Sequence, residues 1–362
     1  MRILTGGESH GPAVIAIIDS VPWGLRLTAD DIDRDLARRQ RGYGRGGRMR
    51  IDKDRVRLLS GVRHGLTIGS PVTLLVENLD HAKWEAAMSP EPAAGSEPDT
   101  RPRPGHGDLA GMLKYGTGDA RDILERASAR ETAARVAAGA VARRLLQSLG
   151  ITVTSRVVSV GPVLDPAARA LEQKEYLKAD DDDMRCLDPE VSALMVAEVD
   201  RAAEAGDTLG GVFEVAAFGV PPGLGSHAQY DRRLDANLCG ALVSIPGIKG
   251  AEVGDGFALA GIEGSRAHDE IFYDEERRIY RGSNRAGGIE GGMSNGEKIV
   301  LRAVMKPIPT LGQPLATVDL KDRTAARAFK ERADVCAVPA ASVVAEAVTA
   351  LALASAAQEK FG

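Results

Sequence analysis

Residues 341–360 read ASVVAEAVTALALASAAQEK, and the way they are buried decides the fold. The segment is apolar nearly all round a helical cycle, which implies burial on several sides. It is the only stretch that approaches the roughly 18 residues a membrane span needs. Glu346 interrupts it, so a helix buried in protein is expected, with no membrane segment. A second core helix is expected from residue 128 to Leu149. Val136, Ala140, Val141, Leu145 and Leu149 recur there at helical spacing, and Gly150 stops it. Its inner face is mostly Ala and Val, which permits close approach of a neighbour. Ser128 and Glu131 fit a capping box.

Outward from these helices, Thr28 is placed to cap a helix over Ala29 to Arg39, and Pro189 to Ala205 reads as an exposed amphipathic helix. Strands are expected at Val56 to Val62, Pro71 to Glu77, Thr152 to Val160, Gly211 to Val220 and Lys298 to Met305. The first two should pair antiparallel. Strands and helices are grouped rather than alternated, which predicts an α+β fold with sheets packed on helices over a repeated βαβ fold. The 362 residues are 44% hydrophobic and 27% charged, ordinary values for a globular chain of one large domain or two.

Charge excludes some classes. The 46 basic and 51 acidic residues give a net charge of −5, which disfavours a wholly basic nucleic-acid binder. Residues 180–183 are four aspartates, expected as a solvated loop. Residues 89–104 hold five prolines in sixteen positions; a mobile loop running into an ordered one is expected, within a single domain over 1–362. Three separated cysteines without a CxxC, and an N-terminus without an apolar signal region, predict reduced thiols in a cytoplasmic protein. The six histidines show no HxxxH or HxH spacing, so no metal site is expected.

Several motifs carry chemistry. Gly7-Glu8-Ser9-His10-Gly11 matches the G-x-S-x-G nucleophile elbow, yet only one short strand fits before it, where the elbow follows a central parallel strand. Read alone, it is a Gly-rich turn with a surface His, a ligand-binding turn, or a serine hydrolase built on Ser9. Residues 38–50, RRQRGYGRGGRMR, hold six arginines and no acid. That run suits a solvated basic face, an RNA contact through an Arg/Gly-rich loop, or a clamp on a small polyanion, since guanidinium matches phosphate and carboxylate bidentately. A lone aromatic, Tyr43, argues against nucleic acid. Pro102 to Asp108 sets His106 and Arg103 in a rigid turn, and Arg126 to Glu131 sets arginines at a helix start, where backbone N–H groups bind anions. The residues alone lead to a cytosolic enzyme for a phosphorylated, multiply anionic small molecule.

Taken in order, seven segments resemble the chorismate synthase family: GESHGPAVIAIIDSVP at 7–22, RRQRGYGRGGRM at 38–49, RPRPGHGDLAGMLKY at 101–115, ERASARETAARVAAGAVA at 125–142, NRAGGIEGGMSNGE at 284–297, KPIPTL at 306–311 and ERADVCAVPAA at 331–341. The resemblance implies a β-α-β sandwich with antiparallel sheets around central helices, usually a homotetramer. It implies an anti-1,4-elimination of phosphate from 5-enolpyruvylshikimate 3-phosphate to give chorismate, with reduced FMN required and no net redox change. Some members reduce their own flavin with NADPH. Here no extra reductase domain is seen, so an external source of reduced flavin is expected.

The same resemblance implies roles. His10 would protonate the departing phosphate, His106 would stand beside the flavin ring, and Asp334 would take up the ring proton. Arg39, Arg45, Arg48, Arg103 and Arg130, with Ser9, would hold the substrate's anions. Flavin contacts would come from Arg126, Ala127 and Ser128, from Pro246 and Gly247, from Gly291, from Lys306, Pro307, Ile308, Pro309 and Thr310, and from Arg332. Two positions depart from the family pattern: Pro246-Gly247, and Ala333 where Ser or His is usual beside the catalytic Asp.

Overall fold

Two antiparallel sheets enclose the helices that apolar periodicity marks out. The structure is a computed structural model that describes residues 1–46, 53–92, 97–166, 171–331 and 333–362. One sheet runs in the order Arg2–Gly6, Ala13–Asp19, Val72–Glu77, Val56–Ser60. Val14, Ala16 and Ile18 alternate inward, as do Val72, Leu74 and Val76, so one face enters the core. The other sheet runs Ile248–Val253, Ile299–Met305, Gly211–Phe218, Thr152–Val160, Val163–Leu164. Between them lie Ala29–Gln40, Thr132–Ser148, Leu234–Val243 and the C-terminal helix Val338–Phe361. The Thr132–Ser148 helix packs on the first sheet, the C-terminal helix on the second, and the two helices pack on each other. This is the expected α+β sandwich.

The seam between the two central helices is very close. A Cβ on Gly139 would stand 2.4 Å from the Cβ of Ala347 and 2.6 Å from its Cα. Neither partner is the end of a flexible chain, so a methyl group there must push the helices apart. Gly139→Ala should cost about 1–3 kcal/mol by overpacking, read as a lower midpoint in urea denaturation. An unchanged midpoint would show that the seam can widen freely.

The C-terminal helix is long and apolar enough to cross a membrane, but 78% of its most apolar window is buried inside the protein. Its one buried acid is fully neutralised. Glu346 accepts from Arg38 at 2.7 and 2.9 Å, from Arg143 at 2.7 Å, from Arg185 at 3.0 Å and from Ser155 Oγ at 2.7 Å. Asp35 and Asp180 pair with the same arginines.

Some expectations are corrected. Thr28 does form a reciprocal cap with Asp31, but Ser128 does not form one with Glu131. Its Oγ accepts from Arg130 N at 3.3 Å and starts the 3-10 turn Ala129–Glu131, while Glu131 pairs with Arg135 at 3.1 Å. The acidic run is not simply a solvated loop. Asp180 meets Arg38 and Arg185, and Asp182 accepts from the amides of Met184 and Cys186 and from Ser192 Oγ. Of residues 89–104, positions 93–96 lie outside the described residues. The strand expected to Val62 ends at Ser60, where Gly61 turns with φ +83. Ala13–Asp19 and Ile248–Val253 are strands that pattern reading did not separate from apolar or loop sequence. The three cysteines are free, and burial lifts the Cys186 and Cys336 thiols to about 11.

Candidate active site

A cavity of about 690 Å³ opens where the turn between the first two strands, the start of the Thr132–Ser148 helix, the N-terminal end of the C-terminal helix and the 305–310 segment converge. The turn depends on Gly7, whose φ is +96 and whose Cβ would lie 2.2 Å from Ala13 O; only glycine fits. The strand before it is the edge of an antiparallel sheet, which removes the nucleophile-elbow context for Ser9. Ser9 instead lies at the cavity wall, its Oγ accepting from Ser128 Oγ at 3.1 Å.

His10, beside Ser9, is only 8% exposed. Its Nδ1 lies 2.9 Å from Glu125 Oε1, and its amide donates to Glu125 Oε2 at 2.8 Å. Its ring is tilted against Trp84 with centroids 4.1 Å apart. Sequence reading missed both neighbours. Glu125 opens the ERASARE motif, so a signal was present, but nothing in the spacing tied it to a residue 115 positions away.

The arginine run turns inward. Arg39 Nε donates to Thr132 Oγ1 at 2.9 Å, and its Nη1 reaches Asp54 at 3.3 Å. Arg130 donates to Asp54 and Asn78, both at 2.6 Å, and to Glu77 O at 3.0 Å. Burial, with Arg130 and Arg45 nearby, pushes the Arg39 guanidinium down to about 10 against the pull of Asp54, so it stays charged at neutral pH. Arg45 Nη1 lies 3.2 Å from Asp334 Oδ2, and the amide of Gly46 donates to Asp334 Oδ1 at 2.7 Å. The basic run therefore has internal anionic partners, which corrects the reading of it as a solvated face or RNA contact. Arg48 lies outside the described residues.

The 103–108 turn forms a second unit. Arg103 Nε donates to Asp108 Oδ2 at 2.9 Å and its Nη1 to Thr310 Oγ1 at 3.0 Å, while its guanidinium lies 4.6 Å from the Phe329 ring centre. His106 Nδ1 shares the Asp108 carboxylate. Burial works to raise the Asp108 carboxyl, but hydrogen bonds from His106 and Arg103 and the guanidinium charge outweigh it and hold the group at about 2.

An apolar wall faces these charges. Ile245, Pro246, Met305, Ile308 and Pro309 line it, with Gly247, Pro307, Thr310 and Ala127. Gly247 has φ +87, and a Cβ there would stand 3.2 Å from Met305 Cε. Lys306 donates to Gly105 O, and partial burial, then Lys249, lowers its ammonium pKa. Two expected contacts are not brought in. Arg126 donates to Gly7 O and Thr5 on the outside, and Gly291 caps the Ile289–Glu290 hairpin away from the lining. Arg332 lies outside the described residues.

Among the described lining residues, six basic side chains face two carboxylates, with two histidines between them. A cavity so charged, walled on one side by apolar groups, defines an enzyme for a small, multiply anionic substrate. A family model described as chorismate synthase matches residues 1–357. A chorismate synthase of Desulforudis audaxviator is 57% identical over 364 residues, covering 100% of this chain and 93% of the relative. One of Rubrobacter xylanophilus is 58% identical, covering 99% and 92%. A crystal structure of a chorismate synthase superposes with a TM-score of 0.81 at 42% identity, over 100% of this chain and 92% of that one. The chain belongs to the chorismate synthase family. Its activity is the lyase step of the shikimate pathway, in which 5-enolpyruvylshikimate 3-phosphate loses phosphate to give chorismate.

Proposed function

We propose that the cavity holds 5-enolpyruvylshikimate 3-phosphate against reduced FMN, and that His10, His106 and Asp334 move the protons of the elimination. The carrying observation is the excess of cations over carboxylates around one cavity that also offers an uncharged wall. A phosphate and two carboxylates suit the cationic side, since charge-assisted hydrogen bonds from arginine fix each anion's direction. The apolar wall, kept open by Gly247, and the Lys306 ammonium suit a planar flavin carrying a phosphate. Reduced flavin, when bound, supplies electron density that helps the allylic C–O bond break and is then recovered.

The chain's own residues do the rest. Arg39, Arg45, Arg103 and Arg130 all stand at the cavity wall, and Asp54, Asp334, Asp108 and Asn78 hold them in place, so guanidinium groups already fixed in direction are presented to the anions. Ser9 and Ser128 add hydroxyls. His10 presents a proton to the departing phosphate as general acid. Asp334, held by Arg45 and the Gly46 amide, receives the ring proton. His106, oriented by Asp108, controls the proton at the flavin side. We further propose a monofunctional, cytoplasmic homotetramer that takes reduced flavin from an external source rather than from NADP-linked reduction.

Anaerobic incubation with reduced FMN and substrate should release one phosphate per chorismate formed, and oxidised FMN should release none. Turnover without reduced flavin would overturn the cofactor assignment. A flavin absorbance change that needs enzyme and substrate together would support the shared cavity.

A further inference from the structure

We propose that Glu125, Arg121 and Trp84 form a cage that positions His10, with Glu125 deciding which ring nitrogen faces the substrate phosphate. This deepens the reading of His10 as proton donor and rests on it. The four side chains close on one another. His10 Nδ1 meets Glu125 Oε1 at 2.9 Å, Glu125 Oε1 accepts from Arg121 Nη1 at 2.9 Å, the Arg121 guanidinium lies 4.9 Å from the Trp84 ring centre, and Trp84 lies 4.1 Å from the His10 ring. The backbone is clamped by the same residue: Ser9 N donates to Glu125 O at 2.9 Å and His10 N to Glu125 Oε2 at 2.8 Å. His81 Nδ1, 2.8 Å from His10 O, braces the other side.

The consequence is chemical. A carboxylate accepts only, so Nδ1 carries the hydrogen and Nε2 is the nitrogen left for the cavity. Glu125 also stabilises the imidazolium that a general acid must be before it gives up its proton. Arg121, paired in turn with Asp99 at 2.7 Å, keeps Glu125 ionised without leaving its charge unbalanced. The Glu125 carboxyl responds accordingly: burial works to raise it, but the His10 bonds and charge and then Arg121 carry it below its ordinary range. The charged and titratable groups around His10 are Glu125, Arg121 with Asp99 and Glu331 behind it, and His81, and around the cavity Arg39, Arg45, Arg103, His106, Arg130, Lys306, Lys330 and Asp334.

Glu125→Gln keeps the shape and an accepting oxygen but removes the charge. It should lower kcat about tenfold or more, leave KM within about twofold, and move the alkaline limb of the kcat–pH profile to lower pH. The limb moves down because the protonated ring loses its stabilising neighbour. Glu125→Asp should restore part of that shift. In the His10→Ala background, Glu125→Gln should cost nothing further, since a residue that acts through His10 has nothing left to position. The direct readout is nitrogen NMR of selectively labelled histidines in the full chain. His10 should be an Nδ1–H tautomer in the wild type and lose that preference in Glu125→Ala. An unchanged tautomer would overturn the cage whatever the turnover. Full activity of His10→Ala would instead overturn the proton-donor reading while the NMR result stood.

Discussion

Asp334→Asn should lower kcat about a hundredfold or more while KM for the phosphorylated substrate stays near the wild-type value. The expectation follows from how the carboxylate is held. Its side chain is 20% exposed at the cavity edge. The Gly46 amide donates to one oxygen at 2.7 Å and Arg45 approaches the other at 3.2 Å. Asparagine can keep the Gly46 bond through its carbonyl oxygen but turns an amide N–H toward Arg45. It cannot take up a proton, so the base is lost while the loop geometry survives. Arg45 keeps its place at the cavity wall and can still meet an anion there, which is why binding should not suffer. General-base catalysis of this kind contributes about a hundred- to ten-thousandfold. The measurement is anaerobic phosphate release with reduced FMN over a range of substrate. A kcat within threefold of wild type would remove Asp334 from the proton transfer.

The second large effect is on stability. Glu346→Ala should destabilise the fold by about 3–5 kcal/mol, the cost of stranding buried charges when one partner of an ion cluster is removed. That is a large share of the roughly 5–15 kcal/mol that holds a typical domain. Three arginines lose their shared acceptor, and two of them anchor separate elements, Arg38 on the Ala29–Gln40 helix and Arg143 on the Thr132–Ser148 helix. The same acid sets a pH dependence. Burial works to raise the Glu346 carboxyl, but Arg38, Arg143 and Arg185 outweigh it and hold it at about 2. An unfolded glutamate titrates near about 4.3. A depressed folded pKa means that the stabilisation is fully present above the unfolded value. It is lost as pH falls from about 4.5 toward 2. Urea midpoints measured across that window should fall steeply for the wild type and more gently for Glu346→Gln. Equal slopes would show that this carboxylate does not carry the acid lability.

The central helices were legible because burial on every side leaves a local imprint: residues 341–360 lack a polar face, and Glu346 is the one acid inside the apolar stretch before Gln358. Ala13–Asp19 was not, because AVIAIID is a continuous apolar run in which period-two alternation is hidden by apolar residues on the outer face as well. At the site, the turns bearing Ser9, His10, Arg103, His106, Ser128 and Asp334 could be read as chemically dense and ordered like those of a known family. Their supporting residues were harder. Glu125, Asp54 and Asp108 are ordinary acids in sequence, and they acquire meaning only from the His or Arg that each one faces. The arginine run shows the limit most clearly, since its composition pointed outward to an anionic partner, yet Asp54, Asp180, Asp334 and Glu346 fill much of that need from within.

By itself the sequence determined the helical and strand periods of its longest elements, the α+β grouping and the inventory of groups from which a site for a polyanion is built. Those features depend on neighbours two to four residues apart, where backbone geometry dictates who shares a face. Only the tertiary structure decided that Asp334 meets Gly46 and Arg45, that Glu125 holds His10, and that Glu346 gathers arginines from three distant segments. Ion pairs and hydrogen bonds act through space over a few ångströms, and chain separation leaves no periodic trace of them.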